Sequence, residues 1–156
     1  MNAVVSNHRE SAMWTRLTAF TRSARAQRLS LLYARTALGA AYLNGIASRF
    51  GWWGKDVGYG NYANFVAYTA KVNSFMPAST IPFLAFAATV AELVLGITLV
   101  LGLWPRASAI ASAVLLILFG TAMAISFGIV SPFDYSVFSA SACSVLLAVW
   151  PEQNTK

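Results

Sequence analysis

The stretch Thr80–Leu103, TIPFLAFAATVAELVLGITLVLGL, decides the fold. It is apolar except for a single acid, Glu92. Crossing the hydrocarbon of a bilayer takes about 20 helical residues at about 1.5 Å each, and this run is long enough. A helix satisfies every backbone N–H and C=O within its own segment, which is what an apolar surrounding demands. A carboxyl at mid-membrane depth costs about 3 kcal/mol on insertion scales. Glu92 therefore has to be paired, protonated or turned to a polar cavity.

Three further runs extend the pattern on either side: Leu29–Phe50, Ala107–Ile129 and Phe133–Trp150. The chain of 156 residues is 58% hydrophobic and only 10% charged, where soluble domains carry about 25% charged residues. The expected fold is an all-α integral membrane protein, a bundle of four transmembrane helices. The long connection from Gly51 to Ser79 adds a short amphipathic helix, Asn61–Val72 (NYANFVAYTAKV), in the outer loop. Asn61 is suited to cap it, and Tyr62, Phe65, Thr69 and Val72 recur on one side. The expected organisation is a basic cytoplasmic tail over residues 1–28, a transmembrane domain over 29–150 and a cytoplasmic C-terminal tail over 151–156.

A net charge of +6 could suggest nucleic acid, but the bases are not spread over a binding face. They gather in the tail, at Arg9, Arg16, Arg22, Arg25 and Arg28, just before the first span. That is the positive-inside pattern, which places the tail in the cytoplasm. An even number of spans returns the C-terminus to the same side, with Arg106 and Lys156, and leaves Arg49, Lys55 and Lys71 outside. The bacterial inner membrane, with both termini cytoplasmic, is the expected location. The first residues are polar and Arg-rich, unlike a cleavable signal peptide. Their Arg and Ser content also fits a mitochondrial transit peptide, although no soluble domain follows. Met13, Leu17, Phe20 and Ala24, with Trp14, have the spacing of a surface amphipathic helix.

The candidate site is built around Glu92. Arg35 is the base inside the first span, and Asn44 is a second polar group in the same helix. By helical rise Asn44 lies near the depth of Glu92, and Arg35 roughly 9 Å nearer the cytoplasm. Asn44 is thus the easier hydrogen-bond partner, and Arg35 can snorkel to headgroups. Tyr42 and Phe86 are candidate cavity walls. The bland alternative is an ion pair that only locks two helices together. Asp134, after the Ser131–Pro132–Phe133 turn, is expected to cap the fourth helix. Gly39, Gly45, Gly96, Gly102 and Gly120 and the serines of the last span invite close helix packing. With one cysteine, Cys143, and one histidine, His8, the chain offers no CxxC pair, no cysteine-ligated cluster of its own and no bis-histidine haem. No metal site is expected, and Cys143 reads as a small packing residue.

Arg35–Thr36–Ala37–Leu38–Gly39, followed by Tyr42 and Gly45, then Glu92–Leu93–Val94–Leu95–Gly96, Gly102, Arg106 and an Ala-rich third helix, resemble the DoxX family of small bacterial membrane proteins. Tyr68–Pro77 (YTAKVNSFMP) is similar to the family's outer loop. The resemblance covers roughly residues 30–150. It implies a four-helix inner-membrane protein related to small subunits of quinone-linked oxidoreductases and to maturation and oxidative-stress complexes. Many members close the first span with Gly-x-x-Lys or Gly-x-x-Arg. Here Gly45 is followed by Ser48 and then Arg49, a displacement of one residue.

Three functions follow as expectations. The first is an accessory subunit of a membrane redox system, with quinone as its non-covalent cofactor and Glu92 as a proton relay. The second is a structural or assembly protein without chemistry of its own. The third, a small-molecule carrier, lacks the repeats and broken helices that carriers use. The expected partners are the lipid bilayer, membrane or redox proteins and further copies of the chain, with no nucleic acid.

Overall fold

Among the described residues many large apolar side chains face outward, while an ion pair and several hydroxyls are buried beside a small apolar core. On the helix that holds Glu92, the buried stripe is Ile81, Ala85, Thr89, Glu92, Leu95, Gly96 and Leu99. The opposite stripe, Phe83, Phe86, Val90, Val94, Ile97 and Leu101, is exposed. The buried hydroxyls are those of Ser48, Ser108, Ser112, Ser141 and Ser144. Water would penalise so much contiguous apolar surface, whereas acyl chains accept it.

The computed structural model describes Met13, Trp14 and residues 23–150. Among these, every regular element is helical: α1 (Ala24–Arg49), α2 (Tyr62–Val72), a 3₁₀ turn (Ala78–Thr80), α3 (Ile81–Leu101), α4 (Pro105–Phe127), α5 (Val130–Asp134) and α6 (Val137–Val149). The expected amphipathic tail helix, apart from Met13, Trp14 and Ala24, lies outside the described residues, as do His8 and the tail over 151–156. Two helical stretches, Ala78–Leu101 and Pro105–Phe127, are long and apolar enough to cross a membrane. Only 33% and 22% of their most apolar windows are buried in the molecule, unlike the core helices of a soluble protein.

The chain divides into two compact units, Met1–Ala34 and Arg35–Lys156, with the boundary inside α1. In the first unit Ser23 opens α1, its Oγ accepting from the Ala26 N–H at 3.2 Å. Leu29, Leu32 and Tyr33 are exposed there.

In the second unit, α1 and α3 run antiparallel and touch at glycines. A Cβ on Gly39 would lie 2.8 Å from the Gly96 carbonyl oxygen and 2.7 Å from a Val100 methyl. Only the missing side chain allows this approach. A core of Leu38, Tyr42, Leu95 and Leu99 forms beneath it, with Leu115, Leu116, Ala140, Cys143 and Leu147 packed around. α4 packs along α6. The Phe138 ring fills the notch at Gly120, 2.7 Å from where a Cβ would stand.

The α2 expectation holds closely: Asn61 Oδ1 accepts from the Asn64 N–H at 2.9 Å, and Phe65, Thr69 and Val72 are buried. The last expected span is shortened. Residues 130–134 form their own helix, and Ser136, at φ 54°, turns the chain before α6 begins at Val137. Asp134 therefore closes α5 and does not cap α6, whose N-cap position is Ser136.

Candidate functional site

Helical spacing places the site. On α1, Leu38, Tyr42, Ile46 and Arg49 are buried three or four residues apart, so Arg49 shares the stripe that faces the interior. On α3, Thr89 and Glu92 occupy the corresponding stripe. Arg49 Nη2 donates to Glu92 Oε1 at 2.6 Å, and the two residues are 4% and 5% exposed. Arg49 Nη1 donates to Thr89 Oγ1 at 3.2 Å, and the Thr89 hydroxyl in turn donates to the Ala85 carbonyl at 2.8 Å. The guanidinium lies 3.7 Å from the centre of the Phe65 ring, a cation–π contact from α2. Gly45 leaves the carboxylate its place, since a Cβ there would lie 3.2 Å from Glu92 Oε2.

Two charges removed from solvent cost several kcal/mol per ion unless geometry and further hydrogen bonds compensate. Here most of the compensation is present. One donor is left over: Arg49 Nε is buried and has no hydrogen-bond partner. A buried donor without an acceptor costs roughly 1–3 kcal/mol.

The site is closed from the loop side. Arg49 ends α1 beside Thr89, which lies eight residues into α3, so α1 stops roughly 12 Å short of its partner's start by helical rise. The segment 50–61 and α2 fill that gap. Ser48 Oγ accepts from the Tyr59 N–H at 2.9 Å, and Asn64 Nδ2 donates to the Tyr59 carbonyl at 2.8 Å. Gly58, at φ +63°, presses its backbone so close to Ser48 Oγ that any side chain would collide. The Tyr59 ring meets Phe65 edge-on at 5.1 Å and Tyr68 at 5.4 Å. Burial, reinforced by Tyr68, pushes the Tyr59 phenol up to about 12, so it remains protonated at neutral pH. Burial also raises Tyr68.

The residues singled out from sequence fall in different places. Glu92 lies at the centre of the site, but its partner is Arg49, which the charge count had put outside the membrane. Arg35 lies at the other end of the α1–α3 contact, its guanidinium against Gly102. Asn44 faces outward and accepts from Trp53 Nε1 at 3.1 Å. Its expected bond to Glu92 is absent because it sits off the α1 stripe. Tyr42 is buried; its hydroxyl meets Ser112 Oγ at 2.9 Å, and Ser112 meets Ser144 at the same distance. Together they form a polar seam linking α1, α4 and α6. Phe86 is 61% exposed, one residue off the buried stripe of α3. Sequence reading missed Arg49, Thr89, Phe65 and Tyr59. The spacing from Tyr42 to Arg49 was the available signal, obscured by the aromatic run Phe50, Trp52 and Trp53, which resembles an interfacial belt.

No curated protein and no solved structure is significantly similar to the chain. The DoxX family model matches residues 30–128, taking in α1 from Ser30, the closing loop, α2, α3 and α4. That match covers well over half of the sequence, includes every residue of the Arg49–Glu92 site, and agrees with the outward-facing apolar helices: the chain is a membrane protein of the DoxX family.

Proposed function

We propose that this chain is an accessory subunit of a membrane redox system, and that the Arg49–Glu92 site engages a quinone. The observation that carries the reading is the buried, unpartnered Nε of Arg49 beside a carboxylate. A quinone carbonyl is an acceptor without a proton of its own, which suits such a donor. Phe65 and Tyr59 supply ring surfaces next to it. Reduction of a quinone consumes two electrons and two protons. The electrons come from a partner oxidoreductase, and Glu92 stands where a proton is passed. Intramembrane ionisable residues are retained against their cost mainly where they do such work.

The proposed setting is the bacterial inner membrane. α1, α3, α4 and the shorter α6 act as four spans, with α5 as part of the turn before the last. The basic residues before α1 favour cytoplasmic termini, and burial of Arg49 removes one charge from the count on the other side.

A structural role is the second reading, favoured by the engagement of both Arg49 terminal nitrogens. Mass spectrometry of protein and extracted lipid, after gentle purification from the native membrane, separates the two. The redox reading expects stoichiometric quinone or a co-purifying oxidoreductase. It also expects quinone occupancy to fall about tenfold or more in Arg49→Lys, which keeps the charge but loses Nε. Bulk lipid alone, or quinone unchanged in Arg49→Lys, would leave the structural reading standing.

A further inference from the structure

Arg35 raises a separate question. Its guanidinium lies against Gly102, which ends α3 in the left-handed conformation at φ 73°. A Cβ at Gly102 would collide with Arg35 Nη1 and lie 2.7 Å from Cζ and 3.0 Å from Nη2. The glycine thus forms a notch that seats the planar group. Arg35 is half-buried, and its Nε is shut off from solvent with no hydrogen-bond partner.

No acid is available to it at that end among the described residues. Those acids are Asp56, Glu92 and Asp134. Glu92 is taken by Arg49. Asp56 lies in the loop after α1, and Asp134 lies past the end of α4. Both belong to the end opposite Gly102, because α1 at Arg35 and the start of α4 lie at the Gly102 end and α3 finishes there. The negative end of the α3 dipole accounts for part of the attraction, but Nε makes no hydrogen bond to the carbonyls there. Arg106 opens α4 four residues beyond Gly102 and brings a second guanidinium to the same connection.

We propose that Arg35, seated in the Gly102 notch, binds a phosphate group, and that the source is the headgroup of an anionic phospholipid. Guanidinium presents a rigid fork of N–H donors that matches phosphate oxygens in pairs. Basic pockets between helices at the end of a span meet headgroup phosphates at the right depth. The site is distinct from Arg49–Glu92, and its existence does not depend on the redox reading.

The test uses the full chain in nanodiscs of phosphatidylcholine with a minor fraction of phosphatidylglycerol, released into native mass spectrometry. The wild type should retain one phosphatidylglycerol. Arg35→Gln should retain it about tenfold less, in line with loss of a charge-assisted contact. Lys71→Gln, at the opposite end, should behave as wild type. Arg35→Lys keeps the charge and guards against a folding defect in the Gln variant. It should also lose lipid, because the fork is gone. Displacement of the lipid by soluble glycerol phosphate would show that the phosphate suffices. Resistance to that displacement would show that the acyl chains contribute as well. Equal retention of phosphatidylglycerol in wild type, Arg35→Gln and Arg35→Lys would overturn the proposal.

Discussion

Arg49 and Glu92 each make sense only in the presence of the other. Glu92→Leu leaves a guanidinium buried without its counter-charge, and Arg49→Leu leaves a carboxylate in the same position. Either should cost about 3–5 kcal/mol, and the double variant should recover much of that, since two apolar residues of similar volume replace a pair whose desolvation was only partly offset. Thermal unfolding in lipid nanodiscs across the four-protein cycle measures the coupling. Losses that simply add would mean that the two side chains do not act as a pair. The sequence made Glu92 legible at once, because a lone acid in an apolar run has nowhere to hide. Its partner was harder to read. Arg35 looked central because it lies inside a hydrophobic run, whereas Arg49 borders a glycine- and tryptophan-rich loop. Hydropathy measures distance along the chain. Burial here depends on the loop and α2 folding back over the end of α1, which places Phe65 against Arg49.

The helices follow the same division. Apolar length and spacing located α1, α2, α3 and α4 to within a few residues, and the Asn61 cap was readable from its chemistry. The break at Tyr135–Ser136 was not, because a serine in the left-handed region at φ 54° carries no local signature. Glycine at the α1–α3 crossing allows a sharper statement. A methyl on Gly39 meets the backbone carbonyl of Gly96 at 2.8 Å, and backbone cannot swing away. A methyl on Gly96 meets mainly the Leu43 side chain at 2.8 Å, which can change rotamer. Gly39→Ala should therefore destabilise the protein more than Gly96→Ala. The first falls within the roughly 1–3 kcal/mol typical of overpacking, and the second below it. Midpoints of thermal unfolding for the two variants decide the order, and a larger loss at Gly96 would contradict the crossing geometry.

At the scale of the molecule, the described helices turn a broad apolar surface outward. Spin labels at Phe86→Cys and Leu93→Cys, in a background where Cys143 is replaced by serine, should collide readily with oxygen and poorly with a water-soluble nickel complex. That is the signature of acyl-chain contact, and ready access to nickel would place these faces in water. Membrane character was legible from composition alone. The number of spans was not, because α1 begins among arginines and α6 has only 13 residues. Length also matters within α1. Arg35 and Arg49 stand fourteen residues apart and meet α3 at Gly102 and at Glu92. The helix is thus a gauge with two fixed marks. One alanine inserted between Leu43 and Asn44 would rotate one mark against the other by about 100°. Composition and hydropathy would scarcely change, and helix propensity would rise slightly. The two arginines could then no longer both reach their seats. What is fixed in this stretch of chain is therefore a count of residues, and a deletion or insertion that a hydropathy plot would pass over is the change it is least able to absorb.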